Sequence, residues 1–236
     1  MTQKPKSADI HPGPGFRIRK NIDRLSKDII EQFCLFESPD ISDLLNRMYA
    51  MSSEIHNVVN NASITGSACT VKVYPGDNLM IHKALGVAEP GDVLVVDCSG
   101  SFTNAVVGDL VAQKAKSLGI AGFVIDGMVR DLPAMQEVGL PIYARGVTPV
   151  GPLHRGPGEV NHSISCGGIV VNPGDVILGD ATGVVVIRRE FAEDVLKRAY
   201  VQRDALRTYV DSVKRGIFSL DWVDATLAAA GYEEDE

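Results

Sequence analysis

Asp109, Arg130 and Asp131 are the residues of this chain whose types and surroundings best fit chemistry. Arg130-Asp131 sets a guanidinium beside a carboxylate directly after the apolar stretch Phe123-Val-Ile-Asp-Gly-Met-Val129. Ligands of open α/β sheets gather at the carboxyl ends of such strands. An arginine there can clamp a carboxylate through two parallel hydrogen bonds. Upstream, Val107-Gly108-Asp109-Leu110-Val111 opens a helix-like segment, and a helix start offers unpaired N–H groups to an anion. Together these groups could hold a divalent cation, grip a small organic acid and move a proton.

Each aspartate also has a plain reading. Asp109 fits a helix N-cap, since aspartate is among the best residues there. Asp131 precedes Leu132-Pro133, so it could cap the next helix. Gly-Asp itself is weak evidence, because it occurs at 76, 91, 108, 174 and 179. Three copies follow proline (Pro75, Pro90, Pro173) and are turn chemistry. The copy at Gly108 lacks proline and opens a helix. Two acid-bearing helix starts and an arginine, all at strand exits, favour a site over coincidental caps.

Other candidates carry less. His82, shortly after Asp77-Asn78, could line a pocket, although a lone histidine on a helix-like segment is more often a surface residue. His154, Arg155, Glu159 and His162 crowd the Gly/Pro-rich segment 151–161, which reads either as a specificity loop or as a subunit contact. No G-x-G-x-x-G dinucleotide fingerprint follows a first strand. No Ser-His-Asp or Cys-His arrangement is defensible from spacing. The four cysteines (Cys34, Cys69, Cys98, Cys166) contain no C-x-x-C pair, which argues against zinc and disulfides.

The elements that must position these residues follow from hydrophobic texture. Residues 1–22, rich in lysine and proline, read as an extended arm. Segments 26–33 and 42–51 read as amphipathic helices, with Ser38-Pro39-Asp40 as the break between them. Strand candidates at 68–74, 93–97, 121–125 and 141–144 alternate with helices at 110–118 and 132–138, the last two closed by Gly119 and Gly139. That alternation is an α/β signature. Beyond it lie short strands at 169–172, 176–178 and 183–188. A long polar helix at 191–215 reads as reaching a neighbouring subunit, and Gly231 to Glu236 as an acidic frayed end.

Composition bounds the function. The chain has 236 residues, 45% hydrophobic and 22% charged, which suits one soluble globular domain with tails. A formal net charge of -7 argues against nucleic acid as a partner. No apolar run approaches the roughly 20 residues that span a bilayer. The start lacks a signal-peptide core, so a cytoplasmic location is expected.

The ordered motifs resemble a known family: the class II pyruvate aldolases related to 4-hydroxy-4-methyl-2-oxoglutarate aldolase and the ribonuclease regulator RraA. The resemblance runs over residues 40 to 190. It rests on Gly66-Ser-Ala-Cys-Thr-Val, Gly76-Asp-Asn, Pro90-Gly-Asp-Val-Leu-Val-Val-Asp, Gly108-Asp-Leu, Gly122-Phe-Val-Ile-Asp-Gly-Met-Val-Arg-Asp, Gly168-(x)4-Pro-Gly-Asp and Gly179-Asp-Ala-(x)-Gly-Val-Val-Val-Ile. It implies an α/β chain with a β/β/α swivelling-type fold: an arm at 1–22, a catalytic domain at 23–190, and a helix and tail at 191–236. It also implies a homotrimer or homohexamer with the active site at a subunit interface.

By the same resemblance, Asp131 holds Mg²⁺ or Mn²⁺ mostly through water, and Arg130 contacts the pyruvate part of a small 2-oxo acid. Backbone N–H groups of Gly108, Asp109, Leu110 and Val111 bind its carboxylate, and Asp109 orients a water that shuttles the proton. The implied reaction splits a 4-hydroxy-2-oxo dicarboxylic acid to pyruvate and a second oxo acid, with oxaloacetate decarboxylation as a side activity. The aldolases use one further glutamate from a neighbouring C-terminal helix. Here only Asp204 or Asp211 stands near such a position. The alternative within the same family is a regulator that binds a protein such as a ribonuclease and has no catalytic duty.

Overall fold

The computed structural model describes Ser7 and residues 9–232; the expectations for residues 1–6, 8 and 233–236 fall outside them. In chain order the elements are α1 (Lys27–Phe33), α2 (Ser38–Leu44), β1 (His56–Asn57), β2 (Ile64–Val73), α3 (Leu79–Leu85), β3 (Asp92–Asp97), β4 (Ala105–Val107), α4 (Asp109–Ser117) and β5 (Gly122–Val129). There follow α5 (Leu132–Val138), β6 (Ile142–Val147), β7 (Gly158–Val160), β8 (Ile164–Cys166), β9 (Ile169–Val171), β10 (Val176–Gly179), β11 (Val184–Ile187), α6 (Ala192–Lys214) and α7 (Asp221–Ala229).

One mixed sheet runs in the order β1-β6-β5-β3-β2-β10-β11, with β4 added beside β5 and β7 beside β2, while β8 and β9 make a separate hairpin. Strands β2, β3, β5 and β6 are parallel, as is β4 to β5. The sheet nearly closes into a barrel, because the segment between α2 and β1 spans its two ends. Ala50 bridges Val185 of β11, and His56 pairs with Ala144 of β6.

The apolar strand runs are explained by burial on both faces. In β3, Leu94 and Val96 enter a core packed under α3, α4 and α5, whereas Val93 and Val95 enter a second core with Tyr143 and the β8–β9 hairpin. In β5, Phe123, Ile125 and Val129 take the first core and Val124 the second. The period-2 alternation of a strand thus sorts a continuous apolar run into two cores.

Several boundaries differ from expectation. Ser38-Pro39-Asp40 begins α2 instead of breaking a helix, because proline fits the first turn, where its missing N–H costs nothing. Asp180 fastens that start, accepting from Ser38 N at 2.6 Å and from Ser38 Oγ at 2.8 Å. The helix expected at 42–51 therefore ends early, and Asn46 and Arg47 adopt left-handed backbone angles. Helix α3 gives bounds to the helix-like segment that carries His82, and only α7 was not foreseen. The chain divides into two compact units, Met1–Leu196 and Lys197–Glu236. All strands lie in the first unit. In the second, Asp204 and Asp211 are exposed on α6, and Ile217, Phe218, Leu220 and Trp222 are exposed around the start of α7.

Candidate functional site

The parallel strands deliver their carboxyl ends to one edge of the sheet, where β4 runs into Gly108, β5 into Arg130 and β6 into the stretch 148–151. Backbone bonds lock these exits together. Arg130 N donates to Val107 O at 3.0 Å, Thr148 N to Val129 O at 2.9 Å, and Ala105 N to Val150 O at 2.8 Å. Asn104 Nδ2 adds a bond to Gly151 O at 2.7 Å. Two segments far apart in sequence, Gly108-Asp109 and Arg130-Asp131, are thereby brought into contact.

The contact as it stands leaves no room for a β-carbon. A β-carbon on Gly108 would collide with Asp131 Oδ2 and lie 3.3 Å from both Cγ and Nε of Arg130. A β-carbon on Gly151 would sit 2.6 Å from Arg130 Nη1. Arg130 therefore lies against two glycines.

The capping explanations of the aspartates do not hold. Gly108 takes the N-cap position of α4 and Asp109 is the first helical residue; no side chain caps that helix. The leading N–H groups of α4 thus have no partner within the helix. Asp131 does occupy the N-cap of α5, yet its side chain makes no capping bond. Its carboxylate lies 3.2 Å from Arg130 Nε, and its backbone is left-handed (φ 60, ψ 38). Both side chains stay roughly 40% accessible (42% and 38%), as groups that meet a ligand must.

These residues line a cleft of about 390 Å³ formed by Asn78, His82, Gly108–Val111, Lys114, Arg130, Asp131, Gly151, Pro152 and His154. All belong to the first unit. His82, given little weight from sequence, belongs here because α3 packs beside α4. Lys114 gave no signal in the sequence. Segment 151–161 divides in two. Its first residues wall the cleft, whereas Glu159 turns away to Arg17 of the arm, with Nε–Oε1 at 2.7 Å.

The wall is fixed by Gly76-Asp77-Asn78. Asp77, 2% exposed, accepts from Leu79 N at 2.9 Å and from Arg155 N at 2.6 Å. Asn78 N donates to Leu153 O at 3.0 Å, and Asn78 Nδ2 donates to Val106 O at 3.0 Å. The remaining amide oxygen of Asn78 lies 2.6 Å from His154 Nδ1.

Among the described residues no three His, Cys, Asp or Glu gather into a metal-ligating group. The cleft offers the carboxylates of Asp109 and Asp131, an all-oxygen set. Those two carboxylates suit a hard cation that keeps most of its water, such as Mg²⁺. The cysteines take no part: Cys69, Cys98 and Cys166 are buried free thiols, and burial pushes Cys69 up to about 12. No helix among the described residues is long and apolar enough to cross a membrane.

Comparison with known proteins agrees with this architecture. The family model described as "RraA-like: Aldolase/RraA" matches residues 38–186. A protein of Halalkalibacterium halodurans named "Putative 4-hydroxy-4-methyl-2-oxoglutarate aldolase" is 45% identical over 172 residues, covering 73% of this chain and 82% of that one. Among solved structures, Streptomyces coelicolor RraAS2, described as an unusual member of the RNase ES inhibitor RraA family, superposes with a TM-score of 0.74. It is 26% identical, over 80% of this chain and 98% of that one. The RNA-processing inhibitor RraA of Thermus thermophilis is 32% identical over 64% of this chain and 92% of its own, with a TM-score of 0.60. With its mixed, nearly closed sheet and its long C-terminal helix, the chain belongs to the RraA-like aldolase/RraA family.

Proposed function

We propose that the cleft is the active site of a divalent-metal-dependent aldolase. It cleaves a 4-hydroxy-2-oxo dicarboxylic acid to pyruvate and a second oxo acid, and it decarboxylates oxaloacetate as a side activity. The observation that carries this reading is the convergence of an uncapped helix start with the Arg130-Asp131 pair, which lies against Gly108 and Gly151. A relative named for such an aldolase, at 45% identity, supports it.

In this mechanism the N–H groups at the start of α4, over Gly108 to Val111, bind the carboxylate of the 2-oxo acid, where the helix dipole favours negative charge. Arg130 holds the C2 oxygen as charge gathers on it, an interaction that strengthens toward the transition state. Asp109 orients a water that takes the C4 hydroxyl proton. The C3–C4 bond then breaks, its electron pair moves toward C3 and the C2 oxygen, and C3 is finally reprotonated. Asp131 would hold Mg²⁺ or Mn²⁺ together with waters, and the cation when bound supplies Lewis acidity at that oxygen. Asp204 or Asp211 of a neighbouring subunit would stand in for the family's additional glutamate, which requires a homotrimer or homohexamer.

The likeness to RraA structures favours a second reading, a regulator that binds a protein such as a ribonuclease; a shared fold does not decide between the two. The deciding assay is pyruvate release from oxaloacetate and from 4-hydroxy-4-methyl-2-oxoglutarate, with Mg²⁺ and then with chelator. Chelator-sensitive turnover is expected. Arg130→Ala should abolish it with the melting temperature unchanged, and Asp131→Ala should weaken its metal dependence. Absence of chelator-sensitive release from both substrates refutes the aldolase.

A further inference from the structure

We infer that His82, Lys114 and His154 form a second anion subsite in the cleft, which receives the distal carboxylate of a dicarboxylic oxo acid and sets the preference for it. The inference rests on the aldolase reading for the identity of the acid, but its geometry stands apart from Arg130 and Asp131.

Three nitrogen-bearing side chains reach the cleft from three elements: His82 from α3, Lys114 from α4 and His154 from the loop after β6. The two imidazole rings stand 5.9 Å apart, tilted by 58°, close enough for one carboxylate to accept from both. Lys114 makes no ion pair among the described residues, and the only acids lining the cleft are Asp109 and Asp131. Lys114 thus brings to this corner a positive charge that no carboxylate of the described residues pairs. His82 registers that shortage. Burial first, then Lys114 and His154, hold it below its ordinary range, and a bound anion would relieve the last two.

His154 is also preset for a ligand. Asn78 Nδ2 is committed to Val106 O, so the atom facing the imidazole is the amide oxygen, an acceptor. His154 Nδ1 must then carry a hydrogen and donate it, and Nε2 donates to a carboxylate in the imidazolium form, which an adjacent anion favours. Asn78 is 3% exposed and fixed at both ends of its amide, so the ring cannot turn over without stranding a buried polar group. Val106 lies in β4, two residues before Gly108. The histidine is thus tied to the strand that delivers the proposed carboxylate-binding turn.

The test compares two non-cleavable 2-oxo acids of equal chain length, with Mg²⁺ present. 2-Oxoglutarate carries the distal carboxylate, and 2-oxopentanoate has a methyl group in its place. Calorimetric titration of the wild-type protein should show 2-oxoglutarate binding at least about tenfold more tightly, the scale of a charge-assisted hydrogen bond. Lys114→Met, His82→Phe and His154→Gln should each cut that preference severalfold and leave 2-oxopentanoate affinity within about twofold. Lys114 lies exposed on the helix surface, so its variant reports on the subsite even if the His154 variant folds poorly. Equal wild-type affinity for both acids, no binding of either, or variants that weaken both alike would overturn the subsite. Pyruvate release separates the two ideas. Discrimination without turnover removes the aldolase and keeps the subsite; turnover without discrimination does the reverse.

Discussion

Alanine at position 108 isolates the proposed geometry from the fold. Gly108 has φ -132 and ψ -171, extended values open to any residue, so the substitution introduces no backbone strain. As an N-cap, alanine is worse than glycine by only a fraction of a kcal/mol, about 0.5. What changes is the added β-carbon, which strikes Asp131 Oδ2 and presses on Arg130 Cγ and Nε at 3.3 Å. Both side chains are partly accessible and can swing outward. The stability loss should therefore stay under about 1 kcal/mol, or roughly 2–4 °C in melting temperature for a chain of this size. Function should suffer far more. Moving a positioning group by about 1 Å costs on the order of 100-fold in rate, equivalent to about 2.7 kcal/mol. A coupled lactate dehydrogenase assay on Gly108→Ala should show kcat/KM down by about that factor, beside a near-normal thermal melt. Full activity in a well-folded variant would refute the idea that Arg130 and Asp131 must be held where they are. A melting temperature lowered by more than about 10 °C would show instead that this contact serves the fold.

Two stability predictions follow from other charged groups. Glu159 is held at about 2, below its ordinary 4.5, chiefly by the hydrogen bonds from Arg17, with Gly15 N contributing. A depressed carboxyl stabilises the fold in full above about 4.5, and that contribution fades as pH falls toward about 2. Melting curves across this window should flatten in Glu159→Gln relative to wild type; parallel curves would contradict the assignment. Arg24 grips Asp92 through Nε at 2.8 Å and Nη2 at 2.7 Å, and Asp92 is 1% exposed. Removing the guanidinium leaves a buried carboxylate with Glu89 N as its remaining donor, so Arg24→Ala should cost about 3–5 kcal/mol in denaturant unfolding. A loss below about 1 kcal/mol would mean that Asp92 finds water or another partner.

What could be read from the sequence was what is local. The apolar runs of β3 and β5 announce themselves because burial on both faces removes polar residues, and Gly108-Asp109 stood out because it lacked the proline of the turn copies. In those copies the glycines are indeed left-handed, at φ 82, 93 and 85 for Gly76, Gly91 and Gly174. Long-range convergence was not legible. Nothing near Asn78 reveals that its amide will join Val106 to His154, since that depends on the strand exits meeting at one edge. Helix α3 showed only as a helix-like segment about His82, without bounds. Helix α2 begins earlier than its sequence suggests, because proline, a breaker inside a helix, also serves in the first turn.

The backbone of Asp131 gives an argument for the site that owes nothing to resemblance. A residue other than glycine in the left-handed region costs on the order of 1 kcal/mol, and such residues persist where their surroundings over-determine them. A capping bond to the start of α5 would offset that cost, but the carboxylate makes none. Its partner is instead its own neighbour, Arg130, in a half-exposed pair of the kind that contributes little to stability. The fold thus accepts strain at Asp131 and has glycine at 108 and 151, where a β-carbon would meet the Asp131 carboxylate and the Arg130 guanidinium. What the arrangement does achieve is to hold a carboxylate and a guanidinium at the mouth of a cleft, beside an uncapped helix start. That is the outcome expected where ligand placement, not stability, sets the geometry.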